Sequence, residues 1–223
     1  MHQNVYIMEI TNYKKSIGLG LIVLLCVFII NSLVAAIPVM SDSTFYKIRD
    51  WWFLLSQVIQ ATAVIFLAFN RKSQATILSK IGACLYSALM LIYIFNRLSY
   101  NFTGESYLYF PGISEYLNTL VFYTPGLLLL VWGLPKLWLP IKIVSTLMIA
   151  ISIVEDMIWA KLVPMYQNMS DFTFEQTEPL QDTVDLLSHT NIIVIIAALI
   201  LTIVWLNLKT KAPSAQKHNI DLI

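Results

Sequence analysis

Six long apolar runs separated by short polar stretches set the pattern of this chain. They cover residues 17–38, 51–70, 77–95, 116–134, 137–163 and 189–208. Within each run the apolar residues are continuous rather than spaced at the period of a strand or of an amphipathic surface helix. At 1.5 Å per residue each run reaches roughly the 30 Å of a hydrocarbon core. The expected fold is therefore all-α: a polytopic membrane bundle of six helices, one transmembrane domain over 17–208. A polar segment, 1–16, precedes it and a polar tail, 209–223, follows. The first run has a rival explanation as a secretory signal, because Lys14 and Lys15, the apolar stretch and Val34-Ala35-Ala36 resemble its three regions. The orientation of everything downstream is the same either way.

Finer features refine the bundle. Trp51-Trp52 opens the second run where amphipathic rings favour the membrane interface. Ser79, Ala83 and Ser87 recur every fourth residue in the third run, the small-residue spacing that lets two membrane helices approach closely. Pro125-Gly126 lies inside the fourth run and predicts a kink in its helix, since proline lacks a donor and crowds the preceding turn. The stretch 164–188 is read as an outer acidic loop. Inside it, Pro179 begins a short amphipathic helix with Leu180, Val184 and Leu187 on one face.

Composition agrees with this pattern, at 58% hydrophobic and 12% charged residues among 223, where soluble domains carry about 25% charged. The net charge of +1 and the scattered basic residues provide no groove for nucleic acid. The sign of the charges along the chain is more informative. Ten basic residues, Lys14, Lys15, Arg71, Lys72, Lys80, Lys136, Lys142, Lys209, Lys211 and Lys217, fall on one side of the predicted topology. Only Lys47, Arg49, Arg97 and Lys161 fall on the other. By the positive-inside rule both termini are cytoplasmic. Eleven of the thirteen acids lie on or near the opposite, outer side. Short tails and loops favour a bacterial inner membrane.

Candidate chemistry is sparse. Cys26 and Cys84 both lie in apolar runs, which excludes a loop disulfide or a C-x-x-C relay. His2, His189 and His218 have no metal-ligand spacing, and no nucleotide-binding or hydrolase motif occurs. Asn101-Phe-Thr103 and Asn168-Met-Ser170 match the glycosylation pattern only as often as chance allows. No catalytic residue, cofactor or metal is assigned.

One charge pair stands out, Glu155 and Asp156 in the fifth run. An ionised side chain in hydrocarbon costs about 2.5–3.5 kcal/mol on insertion scales, so it needs a partner, water or a nearby interface. If the span ends near Val154 the pair marks the membrane surface. If it ends near Val163 the pair sits about two turns deep and faces the bundle interior, with Arg97 as its cationic partner. Asn31, Gln57, Gln60, Asn118 and His189 fall at similar outer depths. Glu155, Asp156, Arg97, Gln57, Asn31, Asn118 and His189 together define an expected outer polar pocket; the bland counterpart is a set of interhelical pins. Three functions follow. The first is a non-enzymatic protein that binds or transports a small solute, including a cationic one received by acids beside aromatic rings, or that engages a partner protein on its outer face. The second is an intramembrane enzyme using Glu155 or Asp156 as acid or base. The third is a structural or assembly subunit.

Overall fold

The computed structural model describes residues 2–36, 43–103, 122–167 and 174–208. All regular structure in them is helical: α1 (His2–Ala36), α2 (Ser43–Phe69), α3 (Ile77–Thr103), α4 (Thr124–Trp132), α5 (Leu139–Gln167) and α6 (Phe174–Asn207). A single 3₁₀ turn, Arg71–Ser73, links α2 to α3. Five helices are long and apolar enough to cross a membrane, over Thr11–Ala35, Lys47–Phe69, Ile77–Ser99, Leu139–Leu162 and Thr177–Asn207. Large apolar side chains on their outer faces, among them Leu19, Ile77, Leu91, Leu147, Ile193 and Ile200, are exposed. In water that surface would be unstable; against lipid tails it carries no penalty. This is an integral membrane helical bundle.

The helices pack as a closed ring in chain order, each against its neighbours and α6 back against α1. One end of the ring is tied through Tyr13, Lys14 and Ser16, near the start of the α1 span at Thr11. The backbone N–H of Lys136, just before α5, donates to Tyr13 Oη at 3.2 Å. Lys14 Nζ donates to the carbonyls of Trp205 and Leu208 at the end of α6, at 3.4 and 3.1 Å. That is where a helix leaves carbonyls without intrahelical donors and where a cation is favoured. Asn70, after α2, donates to Ser16 Oγ at 2.9 Å. Thr76, before α3, donates through its hydroxyl to the carbonyl of Gly133, after α4, at 2.8 Å. The starts of α3 and α5, the N-terminal part of the α1 span and the ends of α2, α4 and α6 therefore share one end of the ring. Behind these ties lies a dry layer in which Ile17, Leu67, Leu130, Leu134 and Ile141 are fully buried.

Helices α3 and α4 meet backbone to backbone. A Cβ on Gly82 would lie 2.5 Å from the carbonyl oxygen of Gly126 and 2.6 Å from the nitrogen of Leu130; on Gly133 it would lie 2.5 Å from the nitrogen of Ser79. Ser79, Ala83 and Ser87 are buried along the same interface, and Ser79 Oγ donates to the Leu130 carbonyl at 2.8 Å. The small-residue spacing of the third run thus marks a backbone contact, with Gly82 beside it as the tightest point. Thr124 opens α4 out of a π-helical turn at 122–123, so the disturbance expected around Pro125-Gly126 falls at the start of this helix. Its nine residues cover only the end of the predicted span 116–134, whose earlier part lies outside the described residues.

The helix boundaries differ from those read in the sequence in two ways. Several helices run past their apolar cores: α2 begins at Ser43 and α3 continues to Thr103. More consequentially, the predicted outer loop 164–188 is mostly helix. α5 continues to Gln167, and α6 is one helix from Phe174, with Pro179 inside it, through the predicted start at His189. The polar residues of this stretch sustain the helix rather than end it. Thr183 and Thr190 hydroxyls donate to the carbonyls of Pro179 and Leu186, and Gln181 donates to Asp185, each four residues away. No glycine follows Pro179 before the end of α6. On the expected apolar face Val184 is buried, whereas Leu186, off that face, is 68% exposed.

The α3–α4 contact makes a specific prediction. Gly82→Ala pushes a methyl group into backbone that cannot swing aside and lowers stability by about 1–3 kcal/mol. Gly18→Ala, whose added carbon would meet only the tip of Leu206, costs clearly less. Denaturant titration of both purified variants in one detergent checks the order.

Candidate functional site

Along α2, Phe53, Ser56, Gln57 and Gln60 repeat at three- and four-residue steps and form one stripe. Met90 and Tyr93 do the same on α3, and Ser152, Glu155 and Asp156 on α5. With Asn31 from α1 and Tyr123 from the π turn, these side chains line a cavity of about 320 Å³, the small end of the range for small-molecule sites. The cavity lies away from the tied end of the ring, beyond the dry layer.

Its floor is pinned by Tyr86, fully buried, whose hydroxyl donates to Gln60 Oε1 at 2.5 Å. The Tyr86 ring also packs at 5.3 Å between centroids on Tyr123. The α5 wall is braced by α6. Ser188 Oγ donates to Glu155 Oε1 at 2.6 Å, and Asn191 Nδ2 donates to Ser152 Oγ at 3.1 Å. The rim is braced between α1, α2 and α3. Trp52 Nε1 donates to Asn31 Oδ1 at 3.0 Å. One turn beyond Phe53 and one turn beyond Tyr93, Asp50 and Arg97 form an ion pair. The Arg97 guanidinium also lies 5.4 Å from the centre of the Phe53 ring.

Glu155 and Asp156 are half-buried on the cavity wall, in a helix that runs eleven residues past Asp156 to Gln167. Of the other expected pocket residues, Gln57 and Asn31 also line the cavity. Gln57 Oε1 is buried there without a hydrogen-bond donor among the described residues. Arg97 does not line it. It was expected beside the carboxylates of α5, but it stands at the rim on Asp50, one turn along the same stripe of α3 and nearer in reach to α2. His189 is a second departure. It is exposed, and its Nδ1–H donates to the Asp185 carbonyl at 2.6 Å. A step of one residue turns a helix by about 100°, so Ser188 faces α5 and His189 does not. Asn118 lies outside the described residues.

Sequence reasoning missed Ser152, Ser188 and Asn191, which hold the carboxylate wall, and Phe53, Tyr93 and Tyr123, which supply its rings. The three- and four-residue spacing of Ser152 from Glu155 and Asp156, and of Phe53 from Gln57, carried the signal. Among the described residues no cluster of three or more His, Cys, Asp or Glu side chains could hold a metal ion.

No family model matches the chain, and neither curated proteins nor solved structures include a significant match. The fold and cavity define the protein only by class, as a helical integral membrane protein with a polar cavity between its helices.

The floor of the cavity can be tested on its own. Tyr86→Phe leaves Gln60 Oε1 buried without its donor and costs about 1 kcal/mol. Together with Gln60→Leu it should show a coupling of about 0.6–1.7 kcal/mol, the scale of buried membrane hydrogen bonds, in a double-mutant cycle of unfolding free energies.

Proposed function

We propose that this protein crosses the bacterial inner membrane six times with both termini in the cytoplasm, and that its cavity opens to the outside and binds a small solute for recognition or transport. The observation that carries the solute-binding reading is the cavity itself. Two carboxylates, amide groups and aromatic rings converge on it from five segments of the chain, and no lysine or arginine is among its described lining residues.

The ring supports the topology. α3 starts and α4 ends at the tied end, which supports the fourth of the six proposed crossings. The tied end carries Lys14, Lys15, Arg71, Lys72, Lys80, Lys136 and Lys142, and the cavity end Lys47, Arg49, Arg97 and Lys161. The basic bias therefore points the tied end to the cytoplasm. The acid–base alternative is weakened because Arg97, which it needs to hold an anionic group, is engaged by Asp50. The purely structural alternative explains the pins at Ser188 and Asn191 but leaves the open volume and the buried Gln57 oxygen without a purpose.

Two measurements test this proposal. In right-side-out vesicles, with Cys26 and Cys84 replaced by alanine, a cysteine at Gln57 is expected to react with a membrane-impermeant maleimide, and one at Lys72 only after permeabilisation. The reverse pattern inverts the topology. For binding, full-length protein in nanodiscs is melted with pools of small cationic, neutral and anionic solutes. At least one pool should raise Tm in the wild type and not in Ser152→Leu, which fills the cavity. If none does, the cavity is only a packing feature.

A further inference from the structure

We infer that the groove between α1 and α2 at the tied end of the bundle holds one tail of an anionic phospholipid, with the lipid phosphate against Lys15, Arg71 and Lys72. This site is separate from the polar cavity and does not rest on the solute reading. The shape of the groove, the chemistry of its surface and the charges at its mouth each point to that occupant.

The shape comes from the sizes of side chains on two packed helices. Leu19 and Val23 on α1, and Val58 and Phe66 on α2, stand as exposed walls. Gly20 and Ala63 between them are small and buried, which sinks the floor. That floor is closed: a Cβ on Gly20 would lie 2.6 Å from a methyl carbon of Leu67, so α1 and α2 leave no gap beneath it. The hollow measures about 320 Å³. From Val58 to Asn70, which is bonded to Ser16, α2 and the residue after it rise about 18 Å, close to half of the roughly 30 Å of a hydrocarbon core. The groove thus lies within one leaflet, alongside a lipid tail.

The surface suits hydrocarbon. Thr62 is the polar residue among those that line it, and its hydroxyl donates to the Val58 carbonyl at 2.8 Å. Among the described lining residues no buried donor or acceptor is left for a polar ligand. A tail gains little from entering, however, because the lipid around it is as apolar as the groove. Selection has to come from the headgroup.

The mouth is basic. Lys15 stands one turn from Leu19 on the same face of α1, and Arg71 and Lys72 follow Asn70 in the 3₁₀ turn. The hydrogen bond of 2.9 Å from Asn70 to Ser16 draws these two pieces of chain together. All three basic residues are exposed, and among the described residues none is in an ion pair. Their long side chains reach the headgroup layer, where a phosphate accepts charge-assisted hydrogen bonds from lysine and arginine alike. Basic pockets between helices select anionic headgroups in this way. A zwitterionic lipid gains less, since its own cation meets the same residues. A second copy of the chain is disfavoured by charge as well. Paired on this face about an axis along the membrane normal, it would set Lys15, Arg71 and Lys72 against their own counterparts.

The experiment is native mass spectrometry of the full chain, released from micelles holding equal amounts of dioleoyl phosphatidylglycerol and dioleoyl phosphatidylcholine. The wild type is expected to retain one phosphatidylglycerol at least about fivefold in preference to phosphatidylcholine. Lys15→Gln combined with Arg71→Gln should bring that ratio close to parity, since each basic residue contributes roughly fivefold to binding an anionic lipid. Lys80→Gln, which removes a charge at the same end but off the groove, should leave the ratio unchanged. Thr62→Trp and, separately, Val58→Trp fill the groove from exposed positions and should lower phosphatidylglycerol retention several-fold. Tm in phosphatidylcholine nanodiscs checks that the variants are folded, and either tryptophan variant decides if the other is not. Equal retention of the two lipids, or retention of neither, overturns the anionic assignment. A loss of preference in Lys80→Gln equal to that of the Lys15, Arg71 variant means diffuse attraction and overturns the site. Undiminished retention with the groove filled overturns it as the seat of the tail. So does displacement of the lipid by an equal concentration of glycerol phosphate, which has the anion without the tail. A dimer that comes apart in the tryptophan variants gives the groove to a second copy and overturns the lipid.

Discussion

One turn of α1 holds the ring closed. Tyr13 receives the Lys136 amide and stacks its edge on Trp205, Lys14 caps the last carbonyls of α6, and Ser16 takes Asn70. Together these contacts join α1 to the α4–α5 connection and to the ends of α6 and α2. Lipid provides no donors to satisfy exposed backbone, so the carbonyls at the end of α6 must find them within the protein or at the interface. Lys14 meets that demand for two of them, while Tyr13 beside it packs on Trp205 and closes the gap between the last helix and the first. Without this closure α6 would have α5 alone to pack against, and the wall carrying Ser188 and Asn191 would lose its backing.

The consequence is a molecule with two unlike ends. Toward the tied end the interior is dry, filled by Ile17, Leu67, Leu130, Leu134 and Ile141. Toward the other end the helices carry amides, hydroxyls and carboxylates inward, and packing gives way to open volume. The α3–α4 contact contributes to the same asymmetry. Over Gly82, Gly126 and Gly133 the backbones touch; farther along, the π turn at 122–123 brings Tyr123 to the cavity.

Much of this arrangement could be read in the sequence, and the parts that could not have a common cause. Continuous apolar runs mark spans because hydrocarbon tolerates little else, and five of the six runs contain helices fit to cross. The face of Glu155, Asp156, Gln57 and Asn31 followed from depth alone, since polar groups at one depth turn inward together. Depth, however, gives no rotation. Arg97 stands on Asp50 and His189 is exposed beside its own helix, and only packed neighbours decide such rotations. Loop boundaries failed for a different reason. Polarity places the start of the last span near His189, yet the helix runs on through acid-rich sequence, where Thr183, Thr190 and His189 bond back to carbonyls one turn earlier and Gln181 bonds forward to Asp185.

The continuity of α6 has a mechanical side. From Phe174 to Asn207 it is a rod about 50 Å long, held at its foot by Lys14. Ser188 stands about 30 Å up that rod, so a lean of only about 5° about the foot would carry it sideways by roughly 2.6 Å. A displacement of that size is comparable to the length of the Ser188–Glu155 hydrogen bond itself and would part the two. The stretch from Phe174 to Ser188 belongs to the same rod, so a tilt of one end of α6 is a tilt of the helix that braces the carboxylate wall.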